Sequence, residues 1–122
     1  MFRVLIADRN PHVREYLRRE LSRIDLPVEM AEDGRELLRR IATRPEIDLL
    51  ILDPDLPFLE ERALARRLRA RMPPLAVVLH SFGAERGDWP PFWRRFPLVE
   101  KGGDSVERLR AVIVGTRRER DA

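Results

Sequence analysis

Asp48-Leu49-Leu50-Ile51-Leu52-Asp53-Pro54-Asp55-Leu56-Pro57 is the stretch that decides the fold. Four consecutive aliphatic residues bounded by acids read as a short strand buried on both faces, the pattern of a central strand in a parallel sheet. The strand stops at Asp53, and the proline-rich run after it is a loop. Working outward in both directions, strand and helix signals alternate. Upstream, Asp33-Gly34 opens a helix with Leu37, Leu38 and Ile41 as its apolar stripe, and Thr43-Arg44-Pro45 stops it. Downstream, Ala63, Leu64, Leu68 and Met72 mark a helix that Pro73-Pro74 ends, and Leu75 to Leu79 form another buried strand ending at His80-Ser81.

The two ends of the chain continue the alternation. Val4-Leu5-Ile6-Ala7 is a buried strand ended by Asp8. Asn10-Pro11 then starts a helix, with Asn10 as cap and Pro11 in the first turn. Val13, Tyr16, Leu17, Leu21 and Ile24 form its inner stripe. A short strand, Val28 to Ala31, follows Pro27. Phe82 to Pro97 is irregular, with room for a short helix around Phe92 to Arg95. Leu98-Val99-Glu100 is the last strand. After Gly102-Gly103, Asp104 or Ser105 caps a final helix that buries Val106, Leu109, Val112 and Ile113. Thr116 to Ala122 reads as a frayed, charged end. The expected organisation is therefore one domain over residues 1–117 and a charged tail over 118–122. The expected fold class is α/β, a doubly wound sheet of five parallel strands with an irregular or shortened fourth helix.

Composition narrows the chemistry. The 122 residues suit one domain, and the absence of cysteine excludes disulfide, thiolate-metal and thiol-nucleophile chemistry. His12 and His80 are too far apart to begin a zinc site. No apolar run reaches the roughly 20 residues of a bilayer span. The opening residues meet a charge too early for a signal peptide. A cytoplasmic protein without membrane contact is the expectation. A formal charge of +3, from 24 basic and 21 acidic residues, gives no one-sided basic stripe, so no nucleic-acid partner is expected. Arg62, Arg66, Arg67, Arg69 and Arg71 read as a solvated helix surface. Only one basic residue, Lys101, is a lysine. In a chain that otherwise uses arginine, it hints at a need for a compact ammonium.

In such sheets ligands bind at the carboxyl ends of the strands. The residues collected there are Asp8 and Arg9, Asp53 and Asp55, His80 and Ser81, and Lys101. Carboxylates without histidine or cysteine partners suit a hard cation such as Mg²⁺. An aspartate can attack phosphorus, with a metal and a lysine balancing the charge of the transferring group.

These residues resemble the receiver domain of bacterial response regulators, the CheY-like family of two-component signalling. The resemblance is carried, in order, by Val4 to Arg14, Ala31 to Glu36, Asp48 to Pro57 and Val99-Glu100-Lys101. It implies a flavodoxin-like (βα)5 fold. It also implies that Asp53 is the phosphoacceptor, that Asp8 is the first of two acidic Mg²⁺ ligands, and that Lys101 contacts the phosphoryl group. Asp55 falls where a backbone carbonyl ligates the metal. The chain departs from the family at several positions. Arg9 stands at the second acidic position, so Mg²⁺ binding is expected to be weak. Its guanidinium either faces solvent or folds into the acid pocket in place of the cation. His80 aligns with the switch hydroxyl and Ser81 lies one step later, on the other face unless the strand end bends. Leu98 replaces the switch aromatic and Gly102 the usual proline.

The expected function is a stand-alone receiver rather than an enzyme. It would be phosphorylated on Asp53 by a histidine kinase or phosphotransfer protein and act on a downstream protein, with homodimerisation open. The alternative is a pseudo-receiver that takes no phosphate and works as an interaction module. Trp89, Phe92, Trp93 and Phe96 read as core filling where the fourth helix is lost, or else as a partner surface. A small hydrolase is the third reading, disfavoured because nothing reads as a lid or cap to enclose a substrate.

Overall fold

The computed structural model describes residues 1–83 and 86–121. Residues 84 and 85, inside the expected irregular stretch, and Ala122, the end of the expected tail, lie outside them. The aliphatic run before Asp53 is β3, Leu49–Leu52, fully buried as its composition requires. It lies in the middle of a five-stranded sheet with β1 (Val4–Ala7), β2 (Val28–Ala31), β4 (Ala76–Ser81) and β5 (Leu98–Glu100). The order is β2-β1-β3-β4-β5, and every pairing is parallel. The chain reverses its direction of winding between β1 and β3, which places the ligand-binding edge above those two strands.

Alternation along β3 sorts the helices onto two faces. Leu50 and Leu52 pack with Leu37 and Ile41 of α2 (Gly34–Thr43), Leu64 of α3 (Glu61–Ala70) and Trp93 of α4 (Pro91–Arg94). Leu49 and Ile51 pack with Leu17 and Leu21 of α1 (Pro11–Ser22) and Leu109 and Ile113 of α5 (Ser105–Asp121). The helix starts follow local chemistry. Asn10 caps α1 by accepting from the His12 N–H at 2.9 Å, with Pro11 in the first turn. Asp33 caps α2 through the Glu36 N–H at 2.9 Å.

The expected short fourth helix is present as α4, a single turn preceded by a 3₁₀ turn at Arg86–Asp88. The aromatic cluster fills the gap beneath it. Trp93 is buried, and Trp89, Phe92 and Phe96 pack against the same core. Phe92 meets Trp93 and Phe96 edge-on at 4.9 and 5.4 Å. Core filling, rather than a fully presented partner surface, is the role these side chains take.

Two expectations are corrected. The segment from Thr116 is not frayed: α5 continues to Asp121. Arg120 ties it down by donating to the Asp48 carbonyl at 3.0 Å and to the Pro74 carbonyl, with Asp48 Oδ1 at 3.6 Å. Arg71 is not a solvated helix residue. It leaves α3 buried, and its guanidinium donates to the carbonyls of Ile41, Pro45 and Ile47, closing the end of α2 onto the start of β3. A fixed planar fork suits several carbonyls at once. Among the described residues no helix is long and apolar enough to cross a membrane.

Replacing Arg71 with Met keeps the stem and orphans those carbonyls. Urea denaturation is expected to show a loss of about 1.5–3 kcal/mol, the range for hydrogen bonds involving a charged group. A change below about 0.5 kcal/mol, the size of an ordinary surface substitution, would return Arg71 to the solvated class.

Candidate phosphoacceptor site

Strand parity brings the site together. Ala7, Leu52 and Leu79 are in register across β1, β3 and β4, and all belong to the core on the α2 and α3 face. The next residue of each strand, Asp8, Asp53 or His80, turns to the other face at the carboxyl edge. Lys101, just past β5, shares that parity. Its N–H donates to the Ser81 carbonyl at 2.8 Å, which holds it against the end of β4.

The result is a buried ion triad. Lys101 Nζ lies 2.9 Å from Asp8 Oδ2 and 3.1 Å from Asp53 Oδ2. The other oxygen of each carboxylate is held by a backbone N–H two residues on: Asn10 to Asp8 Oδ1 and Asp55 to Asp53 Oδ1, both at 2.9 Å. Both side chains are therefore oriented with Oδ2 inward, and Asp53 is only 3% exposed. The loop after Asp53 is fixed from below. The Gly34 N–H donates to the Pro57 carbonyl at 2.7 Å, and a Cβ at Gly34 would sit 2.2 Å from the Phe58 carbonyl oxygen. Only glycine allows that approach. Arg14 Nη1 donates to the Asp8 carbonyl at 2.7 Å and so secures the turn after β1.

The remaining sequence-predicted residues divide. Arg9 is exposed and makes no ion pair with a described residue, so the pocket cation is Lys101 and the folded-in guanidinium is not the arrangement taken. The Asp55 carboxylate is exposed at the rim. Ser81 remains within β4, paired with Glu100, so the strand does not bend and its hydroxyl lies on the face away from the triad. Its Oγ has only a long contact, 3.4 Å, to the Phe82 carbonyl. His80 is 3% exposed, and neither ring nitrogen has a hydrogen-bond partner. Burial, reinforced by the Lys101 ammonium and opposed by Asp53, pushes its pKa down from 6.5 to about 4. The imidazole is therefore neutral near pH 7, with one N–H to give.

Two residues at the site escaped the sequence reading. Arg14 enters the sequence reading only as the end of the Val4 to Arg14 resemblance, although its position one turn past the Asn10 cap puts it above the end of β1. Phe82, 72% exposed, holds its ring 5.4 Å from Lys101 Nζ. No periodicity marks it, since it follows the strand.

A family model described as the response regulator receiver domain matches residues 4–88. The chain belongs to the response regulator receiver domain family. Among its relatives, Response regulator MprA of Mycobacterium avium (strain 104) is 36% identical over 98% of this chain and 54% of its own length. MprA of Mycolicibacterium vanbaalenii is 41% identical over 63% of this chain and 33% of the relative. The receiver thus spans about half the length of the curated relatives it matches, or less. Solved structures agree on the fold. A two-component response regulator from Clostridium difficile has a TM-score of 0.84 at 15% identity, with both chains fully covered. Response regulator TrrA of Thermotoga maritima, solved with Mg²⁺ and BeF, has 0.80 at 22% identity over 95% of this receiver and 99% of TrrA. TrrA is also known in complex with histidine kinase ThkA.

The depressed His80 pKa has a stability signature. Between about pH 4 and 6.5 the unfolded chain binds the proton and the fold does not. Stability from neutral His80 is complete above pH 6.5 and is lost as pH falls toward 4, by up to about 3 kcal/mol. The wild-type minus His80→Val difference in unfolding free energy is expected to follow that window. A flat difference would mean that His80 titrates normally.

Proposed function

We propose that this receiver takes a phosphoryl group onto Asp53 from a histidine kinase or phosphotransfer protein and signals through protein–protein contacts. The observation that carries the reading is the Lys101 ammonium held between Asp8 Oδ2 and Asp53 Oδ2. An acceptor carboxylate needs one oxygen pinned by a fixed backbone, so that the other is held in place, and a cation close by for the incoming charge. The Asp55 N–H occupies Asp53 Oδ1 and leaves Oδ2 as the attacking oxygen. Lys101 follows the charge from the carboxylates to a phosphoryl oxygen. The unpartnered N–H of neutral His80 takes another, in the place of the family's hydroxyl. Ser81, on the far face, has no part in that contact. Because Lys101 links β5 to α5, its movement alters the surface those elements form.

Mg²⁺ fits this donor set. Asp8 and Asp53 stand side by side, with the point between their Oδ2 atoms held by Lys101 Nζ, and Asp55 follows Asp53 at an open rim, which suits a hard cation that keeps most of its water. Asp8, Asp53 and the Asp55 carbonyl would hold it. When bound, it neutralises charge on the transferring group. TrrA, a relative in fold, was solved with this ion. Arg9 supplies no ligand, so affinity is weak, and Arg9→Asp is expected to bind Mg²⁺ more tightly in a calorimetric titration. Equal affinity would show that this position does not set the metal site.

Arg9 also supports the second reading, a receiver that keeps the fold without taking phosphate. Intact mass after incubation with acetyl phosphate separates the two. A Mg²⁺-dependent gain of one phosphoryl group, absent in Asp53→Asn, is expected. No gain at any Mg²⁺ concentration would favour the phosphorylation-independent module.

A further inference from the structure

A cavity of about 370 Å³ opens beside the ion triad, between the start of α1 and the turn from β5 into α5. Leu17, His80 and Ser105, all buried, line its inner side, and the exposed His12 and Phe82 line its rim. The volume falls within the roughly 300–1,000 Å³ of small-molecule sites. Roughly 150 Å³ is enough for benzene, so there is room here for a fused pair of rings.

The decisive group in this wall is His80. Strand parity turns its ring to this side, since Val78, two residues earlier, packs with Leu17 in the core on the α1 and α5 face. The ring is buried, and neither nitrogen bonds a described residue. Buried polar groups in native proteins are almost always hydrogen-bonded, which calls for a partner from outside the chain. An imidazole with one proton offers one donor and one acceptor, and a hydroxyl can answer either. The charges nearby select against an ion. Lys101 also lines the cavity and would repel a cation. Asp8 and Asp53 stand beside it, 2.9 and 3.1 Å from its Nζ, and would repel an anion. Val13 and Leu17 make the α1 wall apolar. Tyr16 and Phe82 are exposed in the free protein, so a flat ligand would remove aromatic surface from water.

We propose that this cavity binds a small uncharged aromatic alcohol, of the phenol or naphthol type, whose ring packs on Val13, Leu17, Tyr16 and Phe82 and whose hydroxyl bonds the His80 ring. The inference does not depend on Asp53 being the acceptor. One ring nitrogen stays available whichever way the other is used. His80 and Lys101 line the cavity and also stand at the carboxyl edge with Asp53. A ligand held there touches the same side chains as the acceptor site from a different side, and so gives the receiver an input separate from phosphorylation.

The chain has two histidines and one lysine, and all three line this cavity, so ¹⁵N labelling of these residue types reports on it directly. Titration of the unphosphorylated full chain with 2-naphthol is expected to give saturable shifts in the His80 ring nitrogens and in the Lys101 ammonium. Its charged counterpart 2-naphthoate is expected to bind more weakly. His80→Phe keeps a ring without nitrogens, and its affinity for 2-naphthol should fall by roughly 2- to 10-fold, the net worth of one hydrogen bond. His80→Gln restores a donor and an acceptor and should stay closer to wild type. The wild-type titration decides the site without any variant: no saturable shift at His80 would overturn the proposal. Shifts at His12 alone would put the probe on the rim, a surface for a protein partner, and would overturn it as well. Equal affinity for 2-naphthoate would overturn the uncharged class. An unchanged affinity in His80→Phe, or an equal loss in both variants, would overturn the hydrogen bond to His80.

Discussion

A single buried ammonium between two carboxylates governs this structure's carboxyl edge. Taking three ions out of water costs several kcal/mol each, and the attraction among them returns that only when the geometry is good and the remaining lone pairs are bonded. Both conditions hold. Lys101 is within 3.1 Å of Asp8 and Asp53, and each carboxylate's second oxygen accepts a backbone N–H. Removing Lys101 would leave two buried carboxylates with no cation between them, so the ammonium is the member on which the other two depend. The triad still carries one net negative charge, which is what makes the edge receptive to a further cation.

The rest of the fold serves to place those three groups. Parallel register sets Asp8 and Asp53 side by side, and the Lys101 N–H on the Ser81 carbonyl brings the third strand end to them. The loops above the sheet are held by specific contacts: Gly34 against Phe58 on one side, Arg14 on the Asp8 carbonyl on the other. At the opposite edge, Arg71 and Arg120 satisfy backbone carbonyls where elements meet. Arginine does that work because its donors form a planar fork. Lysine is kept for the one position where a compact point charge must fit between two oxygens.

Much of this was legible in the sequence, for identifiable reasons. Buried parallel strands announce themselves as aliphatic runs, and Asp8 and Asp53 each directly end one. Lys101 stood out by its rarity. The two-residue period of a strand also anticipated that Ser81 would face away from Asp53. What the sequence did not disclose depended on side-chain direction. Nothing local distinguishes Arg71, which is buried and reaches three carbonyls, from Arg69, which is exposed. The helical continuation to Asp121 depends on Arg120 meeting Asp48 and Pro74, contacts distant in sequence. Arg9 faced either way until Lys101 was seen to occupy the pocket. The aromatic segment read as unusual because its core-filling role becomes visible only against the shortened fourth helix.

The triad itself is open to direct observation because the chain has one lysine. Labelling with ¹⁵N-lysine gives a single side-chain ammonium signal in NMR. A slowly exchanging resonance is expected in the free protein, shifting in both Asp8→Asn and Asp53→Asn and again in the wild type once Asp53 is phosphorylated. An ammonium exchanging as fast as that of an exposed lysine, and indifferent to both substitutions, would contradict the triad.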